Sequence, residues 1–380
     1  MSETVRRSLR TEIGLALGAL ALVVLAAPTA SEETSGPGVQ GHRTRNVLVV
    51  TLDGLRWQEL FSGYAPELND EESGGVGSPD TLAQRFDAPT PEARREALLP
   101  FLWTVIAREG QVFGDASRDS TVRVTNRFWF SYPGYSELLT GVADPRIDSN
   151  APRTNPNVNV LEWLNRRPGF EGRVAAFASW DVFPFILATE RSRLPVNAEG
   201  PPVADAQNDR ERLLNDFAAD LPTYWGSARF DAVAMQGALH SLRTRQPRVL
   251  YVAFDETDEW AHERRYDLYL DAAHRSDRFL RRLWETAQSL PAYRGQTALV
   301  VATDHGRGDT PRDWTDHGER VPAAERIWMA VMGPDTPDLG VRAGVAATQG
   351  QLAATVAHLL GEDFRAEVPA AAPPLPGVTR

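Results

Sequence analysis

The sequence predicts an α/β fold with a mainly parallel central sheet and helices on both faces, and three observations carry that prediction. Short apolar runs rich in β-branched residues, near 46–52, 172–178, 249–254, 298–303 and 327–332, alternate with stretches of helical periodicity. The runs are apolar at successive positions, as in Val47-Leu-Val-Val-Thr-Leu52 and Val249-Leu-Tyr-Val-Ala-Phe254, so both faces of these strands need covering. Three runs break into aspartates: Asp53, then Asp255 with Asp258, then Asp304. That is where ligands of open α/β sheets gather, beyond the carboxyl ends of the strands. Helices are expected over 98–109, 133–141, 158–166, 209–219, 229–244, 266–289 and 350–360.

At 380 residues the chain is long enough for more than one domain, but an α/β unit of this size can hold a single core, so residues 46–366 are read as one catalytic domain. Ahead of it, Arg6, Arg7 and Arg10 precede an apolar stretch from Ile13 to Ala27 and then Pro28-Thr-Ala30, the pattern of a secretory signal peptide cleaved after Ala30. The apolar stretch is about fifteen residues where a bilayer span needs roughly twenty, so a membrane anchor is the weaker reading. The Arg6-Arg7 pair admits twin-arginine export, but Leu9 and Arg10 fit that pattern poorly, and the general secretory route is the default. A periplasmic or secreted location follows. Residues 31–45 read as a flexible leader and 367–380 as a loose Ala/Pro-rich tail.

Composition narrows the chemistry. There is no cysteine, which removes disulfides and thiolate ligands and leaves nitrogen and oxygen donors for any metal. Lysine is absent as well, and the formal net charge is −11, which argues against a nucleic-acid-binding surface. An acidic protein still binds an anionic substrate where metal ions reverse the local field.

The metal-ligating pattern is distributed over three strand ends. Asp304-His305-Gly306 and Asp316-His317-Gly318 stand twelve residues apart after the fourth run, Asp258 and His262 form Asp-x-x-x-His after the third, and Asp53 follows the first. Two cations sharing a phosphoryl group need about six to eight N/O ligands on rigid elements, with positions left open for substrate and water. Asp258, His262 and His317 form one set; Asp53, Asp304 and His305, completed by a nucleophile hydroxyl, form the other. Imidazole-rich, thiolate-free donors favour zinc, with manganese admitted where carboxylates dominate. Each residue alone has a plainer explanation: Asp53-Gly54 after a strand is more often a turn, and a single His262 a surface residue. His42, His240, His274 and His358 keep that plain reading.

The nucleophile is sought in Phe130-Ser131-Tyr-Pro133-Gly-Tyr135-Ser136, where Pro133 suits a helix's first turn and places Ser131 at or next to its N-cap, with Gly141 near the far end. There a hydroxyl meets free backbone N–H groups and the positive end of the helix dipole, which suits an oxyanion or phosphoryl group. N-capping alone would explain the serine; the metal motifs reverse that preference. Ser136 falls inside the helix and reads as structural. Trp57, Tyr132, Tyr135 and Trp180 are candidates for stacking on a leaving group, with core positions the favoured reading of each.

Together these residues resemble the alkaline phosphatase superfamily, over about residues 46–335. Ser131-Tyr-Pro-Gly-Tyr-x-x-Leu-x-Thr140-Gly141 is similar to the nucleophile helix of nucleotide pyrophosphatase/phosphodiesterases, where threonine usually holds the position of Ser131. Asn150 falls near where that branch places its oxyanion-binding asparagine, two residues closer than usual. The segment from Asp304 to His317 is similar instead to the compact metal segment of the phosphopentomutase and cofactor-independent phosphoglycerate mutase branch. Ser131-Tyr-Pro133-Gly-Tyr135 is also similar to the sulfatase modification site, but Tyr135 replaces the arginine that site requires. The resemblance implies an alkaline phosphatase-like fold and an exported two-metal hydrolase of small-molecule phosphate esters. Ser131 would form a phosphoserine intermediate, Asn150 would bind the equatorial oxygens, and no separate general base is required. The alternatives are a phosphomutase-like isomerase, a sulfatase-like hydrolase and a catalytically silent anion-binding module. Arg307, Arg312 and the 181–208 region are expected to shape substrate preference.

Overall fold

Residues 42–380 are described by the computed structural model, so the expected signal peptide and most of the leader lie outside the described residues. Eleven strands form among the described residues: β1 (Asn46–Leu52), β2 (Gly110–Phe113), β3 (Thr121–Arg123), β4 (Val174–Ala178), β5 (Val196–Asn197), β6 (Val249–Phe254), β7 (Thr297–Ala302), β8 (Arg326–Ile327), β9 (Met329–Met332), β10 (Gly340–Val341) and β11 (Ala346–Thr348). Eight of them make one sheet in the order β10-β2-β9-β7-β1-β6-β4-β5, and β11-β3-β8 make a small second one. Within the large sheet only β9 runs antiparallel to its neighbours. The expected fold class is therefore the observed one.

The double-faced apolar runs explain the layering. Leu48, Val50, Leu52, Leu250, Val252 and Val301 pack on one face against Ala238, Leu242, Tyr269 and Leu270 of the helices Asp231–Thr244 and Tyr266–Ser289. Val47, Val49, Val249, Ala253 and Val300 pack on the other against Leu138, Leu161, Leu352 and Val356, from the helices Ser131–Thr140, Val160–Asn165 and Gln351–Leu359. Burying each such side chain contributes roughly 1.5–3 kcal/mol. This burial fixes the register, with Val50 opposite Val252 on one side and Val301 on the other. Register in turn sets the heights at which β1, β6 and β7, adjacent and parallel, deliver their terminal aspartates.

Several expectations are adjusted. The helix expected over 98–109 is broken: Pro91–Leu98 ends before Pro100, and a π-helical turn, Leu102–Ile106, leads into Ala107–Glu109. Pro100 has no N–H to continue the helix, and the buried Asp277 carboxylate accepts the freed N–H groups of Phe101 and Leu102 at 2.7 and 2.8 Å. The loose tail is also corrected. Ala371, Leu375 and Val378 are buried, Gln351 donates to the carbonyls of Pro373 and Pro374, and Leu375 N donates to Thr355 Oγ1 at 2.9 Å. A proline-rich segment without periodicity can still dock when neighbouring side chains satisfy its carbonyls. At the other end, Arg43 and Thr44 donate their N–H groups to Asp335, so the last residues of the expected leader belong to the folded unit. No helix among the described residues is long and apolar enough to cross a membrane.

Candidate active site

Asp53 leaves β1 through a turn in which Gly54 takes φ +59°; a Cβ there would lie 2.8 Å from Asp258 Oδ1. Glycine thus serves both the turn and the approach of the β6 segment. Its N–H donates to Asp304 Oδ1 at 3.1 Å, tying the ends of β1 and β7 together. His305 points Nδ1 at the carbonyl of Gly306, 2.9 Å away, which fixes the proton there and leaves Nε2 facing the cluster. Nε2 lies 3.2 Å from Asp53 Oδ1, 3.6 Å from Asp304 Oδ2, 3.7 Å from Asp258 Oδ1 and 3.3 Å from Ser131 Oγ. All of these side chains are buried.

The second set rests on a helix that sequence periodicity did not indicate, Glu256–His262, just after β6. It places Asp258 and His262 one turn apart, with His262 Nε2 3.1 Å from Asp258 Oδ2 and 3.0 Å from His317 Nε2. Arg307 is not the substrate-loop residue expected. It is wholly buried, and its guanidinium braces the Asp258 carboxylate and the carbonyl of Thr315. Arg312 is exposed and stands apart from the cavity described below.

Ser131 opens its helix, one position inside the Phe130 N-cap. Gly134, one turn on, lets that helix rest on β7's end: a Cβ there would be 2.5 Å from the carbonyl oxygen of Asp304. The loop before the helix is held by Glu137, a buried carboxylate that accepts from Thr125 N and Oγ1 and from Asn126 N and Nδ2. Asn126 Oδ1 in turn accepts from Phe128 N and Trp129 N, which supports the left-handed φ of 51° at Trp129. Glu137 was not singled out in the sequence, yet it is the sole charge in an otherwise uncharged helix, and that was its signal. Tyr132 and Tyr135 are core residues; Trp57 is partly buried against the core; Trp180 lines the cavity. Of the plainly read histidines, His274 bonds the carbonyl of Leu98 and His358 the hydroxyl of Thr379.

Ser131 opens into a cavity of about 620 Å³ also lined by Asn150, Trp180, Phe185, Asp255, Asp258, Glu259 and His262. Asn150 Oδ1 accepts from Tyr132 N at 3.0 Å, which orients the side chain and leaves its amide nitrogen without a partner among the described residues. All seven expected ligand and nucleophile side chains therefore meet at one place, with Asn150 on its rim.

The electrostatics show what the cluster lacks. Both carboxylate oxygens of Asp53 and Oδ2 of Asp304 are buried and accept no hydrogen bond. Burial, and then Asp53, push the Asp304 carboxyl well above the usual range. Burial lowers His305, but Asp304 and Asp53 outweigh it and raise the imidazole to about 9. His262 and His317 go the other way, lowered by burial and then by His305. Orphaned anionic oxygens at this depth cost several kcal/mol, and divalent cations are the partners that discharge them. Two groups of donors lie close enough to share an ion: Asp53, Asp304 and His305; and Asp258, His305 and His317. The residues present fit bound cations.

The sequence family Type I phosphodiesterase / nucleotide pyrophosphatase matches residues 85–368. No curated protein shows a significant sequence match. Among solved structures, a proposed sulfatase from Bacteroides thetaiotaomicron is similar with a TM-score of 0.51 and 12% identity, over 84% of this chain and 71% of that one. Ps i-CgsB in complex with k-i-k-neocarrahexaose gives 0.50 and 14%, over 87% and 75%. Murine ectonucleotide pyrophosphatase / phosphodiesterase 5 gives 0.49 and 14%, over 87% and 96%. At such identities the first two likenesses are of fold.

Proposed function

From its membership of the type I phosphodiesterase / nucleotide pyrophosphatase family, to which this chain belongs, we propose that the protein is an exported, two-metal phosphodiesterase that works through a phosphoserine at Ser131. The observation that carries the reading is the meeting of orphaned, buried carboxylates with the Ser131 hydroxyl at the mouth of one cavity. Asp53, Asp304 and His305, with Ser131, would hold one cation, and Asp258, His262 and His317 the other. The donor set suits zinc. Bound there, the cations supply Lewis acidity that lowers the hydroxyl's pKa and stabilises charge on the leaving oxygen.

The chain's own residues set the geometry. His305 and the first turn of the helix hold Ser131 Oγ at the cavity wall, aimed at phosphorus for in-line attack. The Ser131 hydroxyl gives its proton to water in the cavity, the Oγ–phosphorus bond forms as the ester bond opposite breaks, and the leaving alkoxide takes a proton from water as it departs toward the cavity. The partnerless Asn150 amide, oriented by the bond its Oδ1 accepts from Tyr132 N, would meet the equatorial oxygens as charge gathers on them. Water then cleaves the phosphoserine. No arginine lines this cavity and the chain has no lysine, so nothing but the cations would offset the second charge of a monoester dianion. A phosphodiester, with one charge, suits it better.

The test is a panel of bis-p-nitrophenyl phosphate, p-nitrophenyl phosphate and the aryl sulfate, on wild type and Ser131→Ala. Diester turnover is expected to lead in the wild type and to fall by a factor on the order of 10³ or more in a folded Ser131→Ala. Chelation should silence the wild type and zinc restore it. Undiminished turnover by Ser131→Ala sinks the assignment, and a sulfate preference would favour the sulfatase reading. Export predicts a mature chain beginning at Ser31, which intact-mass measurement of the natively expressed protein checks.

A further inference from the structure

The helix Glu256–His262 carries Asp258 and His262 but does not hold itself in place. At seven residues it is too short to persist alone, and its N-cap residue, Asp255, makes no side-chain cap. Arg307 braces the Asp258 carboxylate, which leaves the start of the helix to be fixed by other contacts. One is Thr257 Oγ1, which donates to the carbonyl of Asp53 and ties the first turn to the end of β1. The other is the Asp231 carboxylate, which takes the opening N–H groups: Oδ1 accepts from Asp255 N at 2.8 Å and Oδ2 from Glu256 N at 3.3 Å.

Asp231 opens the helix Asp231–Thr244 and is 2% exposed. Its own place is fixed twice. Its N–H donates to Glu256 Oε1 at 2.9 Å, so the two acidic residues each accept the other's backbone N–H, and Glu256 is paired in turn with Arg275. Ser179 Oγ, one residue past β4, donates to Asp231 Oδ1 at 2.6 Å. A carboxylate suits this place because all three of its neighbours are donors, where an amide would turn its own N–H groups toward one of them. Asp231 lines no part of the catalytic cavity and bonds none of the ligand side chains, so it reaches the site through the helix alone. Resting on the two-metal reading of the site, we propose that Asp231 is a positioning residue for the second cation: by holding the first turn of Glu256–His262 it sets the approach of Asp258 and His262 to His317, and with it the affinity of that set. His317 comes from a separate loop, with Nε2 3.0 Å from His262 Nε2 and 3.8 Å from Asp258 Oδ1. A helix free to tilt would open these separations while every ligand stays in the chain.

The experiment is calorimetric titration of zinc into the chelated full chain, wild type against Asp231→Ala, with Asp277→Ala as the matched control. Asp277 is likewise a buried carboxylate that accepts two freed N–H groups, those of Phe101 and Leu102, but it serves the broken helix and not the site. Both variants should melt lower without metal. Only Asp231→Ala should weaken one of the two zinc-binding steps, by about tenfold or more, and leave the other as in wild type. Its diester turnover should return toward wild type as zinc is raised, with KM little changed, a rescue that a loss of folded material would not show. Ser179→Ala, which removes one donor and keeps the carboxylate, should weaken the same step by a smaller factor, and it carries the test if Asp231→Ala does not fold. Two unaltered steps in the folded variant, both steps weakened alike, or an equal loss in Asp277→Ala overturns the positioning role and leaves the two-metal site standing. A folded wild type that binds fewer than two zinc ions overturns both.

Discussion

Asp53 and Arg56, three positions apart in the chain, belong to two buried ionic clusters that solve the same electrostatic problem in opposite ways. Glu59 lies under Arg56, which donates to both of its carboxylate oxygens, while the hydroxyls of Tyr266 and Tyr269 approach the same group. Arg56 also donates to the carbonyl of Gly308 at 3.0 Å. Every charge there has a partner within the protein. Asp53 and Asp304, equally buried, keep three carboxylate oxygens without a hydrogen bond. A closed cluster serves the fold, and an open one is held by the fold for something that arrives from outside. Burial of charge alone does not distinguish them; the census of partners does.

The comparison breaks if the clusters respond alike to neutralisation. Asp304→Asn should cut diester turnover by a factor on the order of 10³ and lower the bound metal per chain, while raising the melting temperature of the chelated protein, since a repelling buried charge is gone. Glu59→Gln should leave metal content intact and cost about 3–5 kcal/mol of stability, because Arg56 is left buried and uncompensated. Elemental analysis with melting curves on both variants decides the matter. A chelated Asp304→Asn that melts below chelated wild type would show the open cluster to be structural after all.

Two smaller changes ask how tightly the open cluster is framed. Gly134→Ala adds a methyl that meets the Asp304 carbonyl at 2.5 Å, so the nucleophile helix must shift by about an ångström. A displacement of that size costs on the order of 10²-fold in turnover, although alanine is intrinsically the better helix former by about 1 kcal/mol. Glu137→Gln replaces an all-acceptor carboxylate with an amide whose nitrogen faces the N–H groups of Thr125 and Asn126. About 1–3 kcal/mol of stability and roughly tenfold in kcat are expected to go, with KM little changed. Steady-state kinetics on the two variants rank them.

The sequence showed the open cluster more readily than the closed one. Aspartates at strand ends are legible because alternation of apolar runs marks where strands stop, and Tyr266–Ser289 is bounded as its periodicity predicts. The helix Glu256–His262 was not, because its polar residues serve the site and spoil the apolar stripe that marks a surface helix. Arg307 looked like a substrate residue because a charged side chain beside metal motifs suggests exposure, whereas its environment is set by Asp258 and Thr315, distant or opposed in the chain. Partnership is a tertiary property, and it decides which buried charges are functional.

Within the open cluster the two ligand sets should titrate in opposite directions once the metal is removed. Asp304 and His305 are both shifted upward, so their contributions to stability are full below their unfolded values and are lost as pH rises, the His305 part between 6.5 and about 9. His262 and His317 are shifted downward by burial and then by His305, so their contribution is present above 6.5 and lost as pH falls below it. The imidazoles together should therefore make the chelated protein melt highest near pH 6.5, where neither loss has begun, and lose a few degrees on either side. Saturating zinc should flatten both limbs, since a cation replaces the proton at each set. The closed cluster gives a control: Glu59→Gln should lower the whole curve and leave its shape unchanged. Melting curves of chelated and zinc-loaded protein across this range test the assignment of the two sets independently of turnover. A profile whose limbs persist unchanged under zinc would place the titrating groups elsewhere than at the ligands.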